Sequence, residues 1–188
     1  MTISPDEMMT RLGVFSSLYV ADEASIFGVR NDQEGGMFFA IDRARGNFRW
    51  RIDCPAGWVL APPLIRGGLL IAGTSVADMN RSESEGQYAV VNWRRSGAVF
   101  AFGVDEGEVR FSDMRTGVVR ETPVTEGDTL IVRGEIRLGG FRNDEPWSSS
   151  AEVESRFALP SGRLIGRRAR GDVRPEDFPG EPPPEAWG

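Results

Sequence analysis

Across residues 36–50, apolar positions flank a polar centre on both sides. Met37, Phe38, Phe39, Ala40 and Ile41 lead in, residues 42–46 reverse the chain, and Phe48, Trp50 and Ile52 are the apolar positions of the segment that leaves. Period two on both sides of a turn predicts a β-hairpin. Asp42 brings a carboxylate that can accept amides of its own turn, and Gly46 takes the positive φ of a tight reversal. The pattern returns at residues 98–111 and again at 157–165. With Phe39, Phe100 and Phe157 as equivalents, the copies are 61 and 57 residues apart and the third turn is two residues short.

Each copy also has an earlier half. Pro63 and Pro123, Gly67 and Gly127, and Ile71 and Ile131 match at an offset of 60, and both segments read as strand, glycine turn, strand. In the first copy Leu18, Tyr19 and Val20 stand in the place of Leu70-Ile71 and Leu130-Ile131. Polar insertions separate the halves at 22–35, 75–97 and 135–155, and two of them carry Arg-Asn-Asp. Insertions at one point of a repeat emerge on one face, the usual seat of function on a rigid scaffold.

The pattern therefore predicts an all-β chain of three four-stranded repeats, at about 13–57, 58–116 and 117–170, within one domain spanning 1–170. A Pro-rich tail follows at 171–188. Ser4 as N-cap and Pro5 at the first helical position predict a short helix over 5–12, too short to persist unless it docks.

The run Ala40-x-Asp42-x-x-x-Gly46-x-x-x-Trp50, followed by Pro62-Pro63 and the Gly-Gly-Leu-Leu-Ile-Ala-Gly of residues 67–73, resembles the repeat of the quinoprotein-type (PQQ-like) β-propellers. That resemblance implies four-stranded blades, with Trp50 docked between neighbours and Asp42, Gly46, Gly107 and Phe111 as structural repeat positions. In the second copy Gly103 replaces the aspartate and Phe111 the tryptophan. Many members of the family are protein-binding scaffolds without quinone. The catalytic members hold their cofactor and metal beside an adjacent-cysteine disulfide, so no cofactor and no metal is expected of a chain with the single Cys54. Propellers commonly close with four to eight blades. Three copies therefore imply completion by a second copy or another protein, or else closure as a β-trefoil, whose twelve strands also suit a chain of this size.

Composition narrows the chemistry. With 188 residues and 40% hydrophobic content the chain can fill a core. It has no His, and its basic residues are all Arg. That excludes Ser-His-Asp and Cys-His sites, imidazole ligands, Schiff bases and phosphate-loop lysines. A net charge of −6 argues against nucleic acid and for a basic or neutral protein partner. The acidic start and the lack of a long apolar run point to a cytoplasmic protein with no membrane insertion.

The candidate partner-binding residues are Arg30 and Arg142, each before Asn-Asp, Tyr88, Trp93 and Trp147 in the insertions, and Phe178 and Trp187 in the tail. Arginine grips carboxylates bidentately and aromatics anchor interfaces. The insertion acids Asp32, Glu34, Glu83, Glu85, Asp144 and Glu145 lack calcium-loop spacing and read as solvated loop carboxylates. Arg94-Arg95 and Arg167-Arg168-x-Arg170 read as protection of strand edges or as docking points for the tail. The expected function is a non-enzymatic protein-binding or structural subunit. The alternatives are a carbohydrate or small-ligand trefoil using Tyr88, Trp93 and Trp147, and an acidic immunity or inhibitor protein.

Overall fold

A computed structural model describes residues 19–31, 36–54, 58–82, 90–142 and 145–172, which form strands, turns and connections with no helix among them. The helix expected over 5–12, Tyr88, and the tail beyond residue 172 with Phe178 and Trp187 lie outside the described residues.

The chain is all-β, and each copy of the repeat is a four-stranded antiparallel blade. The first comprises β1 (Tyr19–Ala21), β2 (Ser25–Asn31), β3 (Gly36–Asp42) and β4 (Phe48–Cys54) in sequential order. After the short β5 (Trp58–Val59), the second blade is built from β6 (Leu64–Arg66), β7 (Leu69–Ser82), β9 (Val99–Gly103) and β10 (Val109–Asp113), with β8 (Val90–Ser96) inserted between β7 and β9. The third has β11 (Val124–Glu126), β12 (Thr129–Arg142), β13 (Glu145–Ala158) and β14 (Arg163–Gly171).

Alternation decides how the blades pack. One face of the first blade gives Phe27, Val29, Phe38, Ala40 and Trp50 to a cluster with Leu70, Ala72, Phe100 and Phe102 of the second. The other face of the second blade, Leu69, Ile71, Val99 and Ala101, packs on Leu130, Val132 and Phe157 of the third. Burying each of these phenylalanines contributes about 1.5–3 kcal/mol. The result is an arc of three blades without a closed ring. Each repeat keeps its strands in one meander, so the trefoil closure is not adopted. At the first end, Ile26, Phe39 and Ile41 face away from the second blade and are buried as well.

Two details of the repeat differ from the sequence reading. In the first copy Tyr19–Ala21 is the counterpart of β6, and Ser25–Asn31 is the strand that matches Leu70-Ile71. Asp22 makes the turn between them by accepting the amides of Ala24 (2.9 Å) and Ser25 (2.7 Å) through Oδ1. The insertion of this copy thus shrinks to residues 32–35. The third turn is not short either. Gly46 N–H bonds to Asp42 O, Gly107 N–H to Gly103 O and Gly162 N–H to Ala158 O, at 2.8, 2.9 and 2.8 Å. A β-bulge follows in every copy, and Phe157 pairs with Leu164 as Phe102 does with Val109 and Ile41 with Phe48. Phe157 is therefore equivalent to Phe102, not to Phe100.

Candidate functional site

The turn glycines sit at φ 74°, 78° and 69° for Gly46, Gly107 and Gly162. The backbones of Gly107 and Gly162 approach an aromatic ring of the preceding blade. Trp50, only 8% exposed, lies over Gly107 so closely that a Cβ there would be 2.6 Å from its Cδ2, and its Nε1–H donates to Val104 O at 3.0 Å. Phe111 lies over Gly162 in the same way. Trp50 and Phe111 each come four residues after the turn glycine of their own blade. In the third blade that position is Gly166, and a Cβ there would meet nothing within 4 Å. The series of aromatic docks runs from first blade to second to third and stops.

Ion pairs reinforce both joints. Arg49 donates to Ser25 Oγ at 2.6 Å and pairs with Asp105 across the first joint at 3.3 Å. Across the second, Arg167 Nη2 lies 2.5 Å from Asp113 Oδ1 while its Nε donates to Ser155 Oγ, with side chains 14% and 20% exposed. Asp42 spends its carboxylate on the amides of Ala44 and Arg45, both at 2.9 Å, and the Arg45 amide in particular holds its pKa below the usual aspartate value. Gly103 has no carboxylate to offer at that position, and the Glu108 side chain, paired with Arg110, fills the space instead.

The face of the third blade turned away from the second carries charge where the other faces carry apolar groups. A cleft of about 910 Å³ opens there between Val118, Arg120 and Glu121 on one side and β14 on the other. Register explains its lining, because Arg133, Glu154 and Arg168 form one cross-strand row and Glu135, Glu152 and Arg170 the next. Glu154 binds Arg133 and Arg156, each at 3.0 Å, and these bonds, Arg156 first, hold its pKa below the glutamate norm. Glu135 pairs with Arg137 at 2.8 Å. Among the described residues Arg120, Arg168 and Arg170 reach no carboxylate at ion-pair distance. β14 is the outermost strand, exposed at eight of its nine residues.

The second and third insertions do not form separate loops. They extend β7–β8 and β12–β13 into two hairpins, and β8 pairs with β12, which sets Trp93 opposite Gly139. Trp147 lies opposite Gly140 and Arg142 opposite Glu145, so these three candidates share one projecting sheet. Trp147 is half-buried. Arg30 is exposed on β2 of the first blade, in a different sheet, and its neighbour Asn31 clamps β5 through two bonds to Val59 at 2.8 and 3.0 Å. Sequence reasoning did not find the charged cleft, since its carboxylates and guanidinium groups come from separate strands; the Arg167-Arg168-x-Arg170 run was its one local sign.

Among the described residues no group of three or more Cys, Asp or Glu is placed to hold a cation, and Cys54 has no second cysteine to join. No described helix is long and apolar enough to cross a membrane.

No family model matches the chain, and no curated protein does. Among solved structures it is similar to a europium-containing methanol dehydrogenase, at 9% identity and a TM-score of 0.52, over 80% of this chain and 24% of that one. It is also matched to BamB from Moraxella catarrhalis at 13% identity and a TM-score of 0.25, over 77% of this chain and 61% of that one. The chain spans about a quarter of the dehydrogenase. At such identity the likeness concerns fold alone, and that fold is propeller-like.

Proposed function

We propose that the chain is a non-catalytic protein-binding or structural subunit, built on PQQ-like propeller repeats and working inside a larger assembly. The observation that carries this reading is the end of the dock series at Gly166. An arc of blades whose last face is charged and lacks an aromatic dock is suited to meet a different surface rather than another blade. For the same reason the partner in this reading is another protein, not a second copy completing a ring. Trp93, Trp147 and Arg142 give the projecting sheet a second contact region, since aromatic and arginine side chains dominate interface energetics.

The test is affinity purification of the full chain from its native cell extract, with light scattering and cross-linking of what is recovered. The expected result is a complex of fixed stoichiometry that cross-links to the third blade or the projecting sheet, together with a monomer when the chain is purified alone. A monomer that retains no protein at native concentration would sink the proposal.

A further inference from the structure

Resting on that protein-binding reading, we propose that the free edge of β14 and the cleft beside it receive an extended acidic segment of the partner protein as an added strand. β14 runs for nine residues with β13 on one side, and among the described residues no strand pairs with the alternate backbone N–H and C=O groups along its outer edge. Its residues 163–171 include Arg163, Arg167, Arg168 and Arg170 and no carboxylate. In a chain of net charge −6 this is a local basic strip, and it reverses the preference for a basic or neutral partner that net charge alone suggests.

Geometry then assigns the arginines. Arg167 is spent on Asp113 and Ser155. Arg168 and Arg170 stand on the cleft face, at the outer ends of the cross-strand rows that run through Glu154 and Glu152. An incoming strand would place its own side chains one row further out, directly beside these two guanidinium groups, where opposite charges stabilise a pair and like charges repel. Arg120 adds positive charge from the far wall.

The carboxylates of the same cleft define what is refused. Glu121, Glu135, Glu152 and Glu154 balance the four arginines of the cleft, so the uncompensated positive charge lies at the β14 edge itself, where an added strand sets an acid at every second residue beside Arg168 and Arg170, while a polyphosphate, charged at every step, also meets the carboxylates behind. Exposed Leu164 and Ile165, at 40% and 52%, offer apolar contact on the same strand. The arginines therefore guard the edge against indiscriminate pairing and admit one class of strand, so a single device provides both protection and specificity.

The experiment uses the full chain with an alternating Glu-Val peptide at low salt, followed by amide NMR shifts and hydrogen exchange. An alternating Lys-Val peptide and oligo-dT serve as competitors. The expected result is that the Glu-Val peptide shifts and protects amides of residues 163–171, with affinity falling about tenfold in R168E/R170E and less in R168A/R170A, and weakening as salt rises. Absence of a β14 response, or tighter binding there of Lys-Val or oligo-dT, overturns the inference. Co-purification separates the two claims: a partner held equally by the R168E/R170E chain leaves the subunit reading standing and removes β14 as its site, while a wild-type chain that retains nothing removes the subunit reading itself.

Discussion

At Trp50 one side chain closes a joint by two different means. Its ring fills the space that Gly107 leaves open, and its Nε1–H satisfies Val104 O. Trp50→Phe keeps much of the ring and leaves that carbonyl unpaired, which should lower unfolding free energy by about 1 kcal/mol in urea titration; Trp50→Ala should cost about 3–5 kcal/mol. Gly107→Ala strains both the φ of 78° and the ring contact, and a double-mutant cycle with Trp50→Phe should show coupling between the two sites. Asp42 acts through charge and hydrogen bonding. Because its pKa is lowered in the fold, its contribution is complete above the ordinary value of 3.8 and is lost as pH falls through the lower folded value. The stability gap between wild type and Asp42→Asn, followed by denaturation at a series of pH values, should therefore close in acid. Asp42, Gly46 and Trp50 were legible in the sequence because a tight turn and its dock depend on residues close in the chain. The equivalence of Phe157 was not, since phenylalanine occurs at both Phe100 and Phe102 and only the hydrogen-bonded turn fixes the register.

At the scale of elements, the connection between the second and third blades passes through a gap made by glycines. A Cβ at Gly134 would lie among the backbone atoms of Thr116 and Gly117, and one at Gly97 would strike Thr74 O and Gly117 O. The strand-like pairing of Val118 with Glu135, by bonds of 2.8 and 3.1 Å, depends on that approach. Gly134→Ala should cost about 2 kcal/mol through overpacking and raise exchange of the Val118 amide, measured by hydrogen exchange with the blade-one amides as internal reference. Nothing in the sequence marked Gly97, Gly117 and Gly134 as a group, because they come together only in the fold. Likewise the insertions read as polar loops, since the β8–β12 pairing that makes them a sheet is long-range and leaves no local period.

For the whole molecule, the polarity of the arc governs association. Its apolar faces are used between blades, its first face is buried at Ile26, Phe39 and Ile41, and its last face is charged. Asp113→Ala would strand the largely buried Arg167 at the second joint, at a cost of about 2 kcal/mol in thermal or urea unfolding, without altering the mass of the isolated chain by light scattering. Blade count and blade type were readable from the repeat, whereas the character of the final face depended on Gly166 and on charges gathered from four segments. β7 and β12 are each fourteen residues long and run without interruption from a blade into the projecting sheet. Ladder bonds lie across the strands, so a pull along β12 loads the bonds to β13 together in shear, and a sideways pull peels them singly. A displacement of the projecting sheet therefore reaches the second and third blades along unbroken backbone, with no turn between to absorb it.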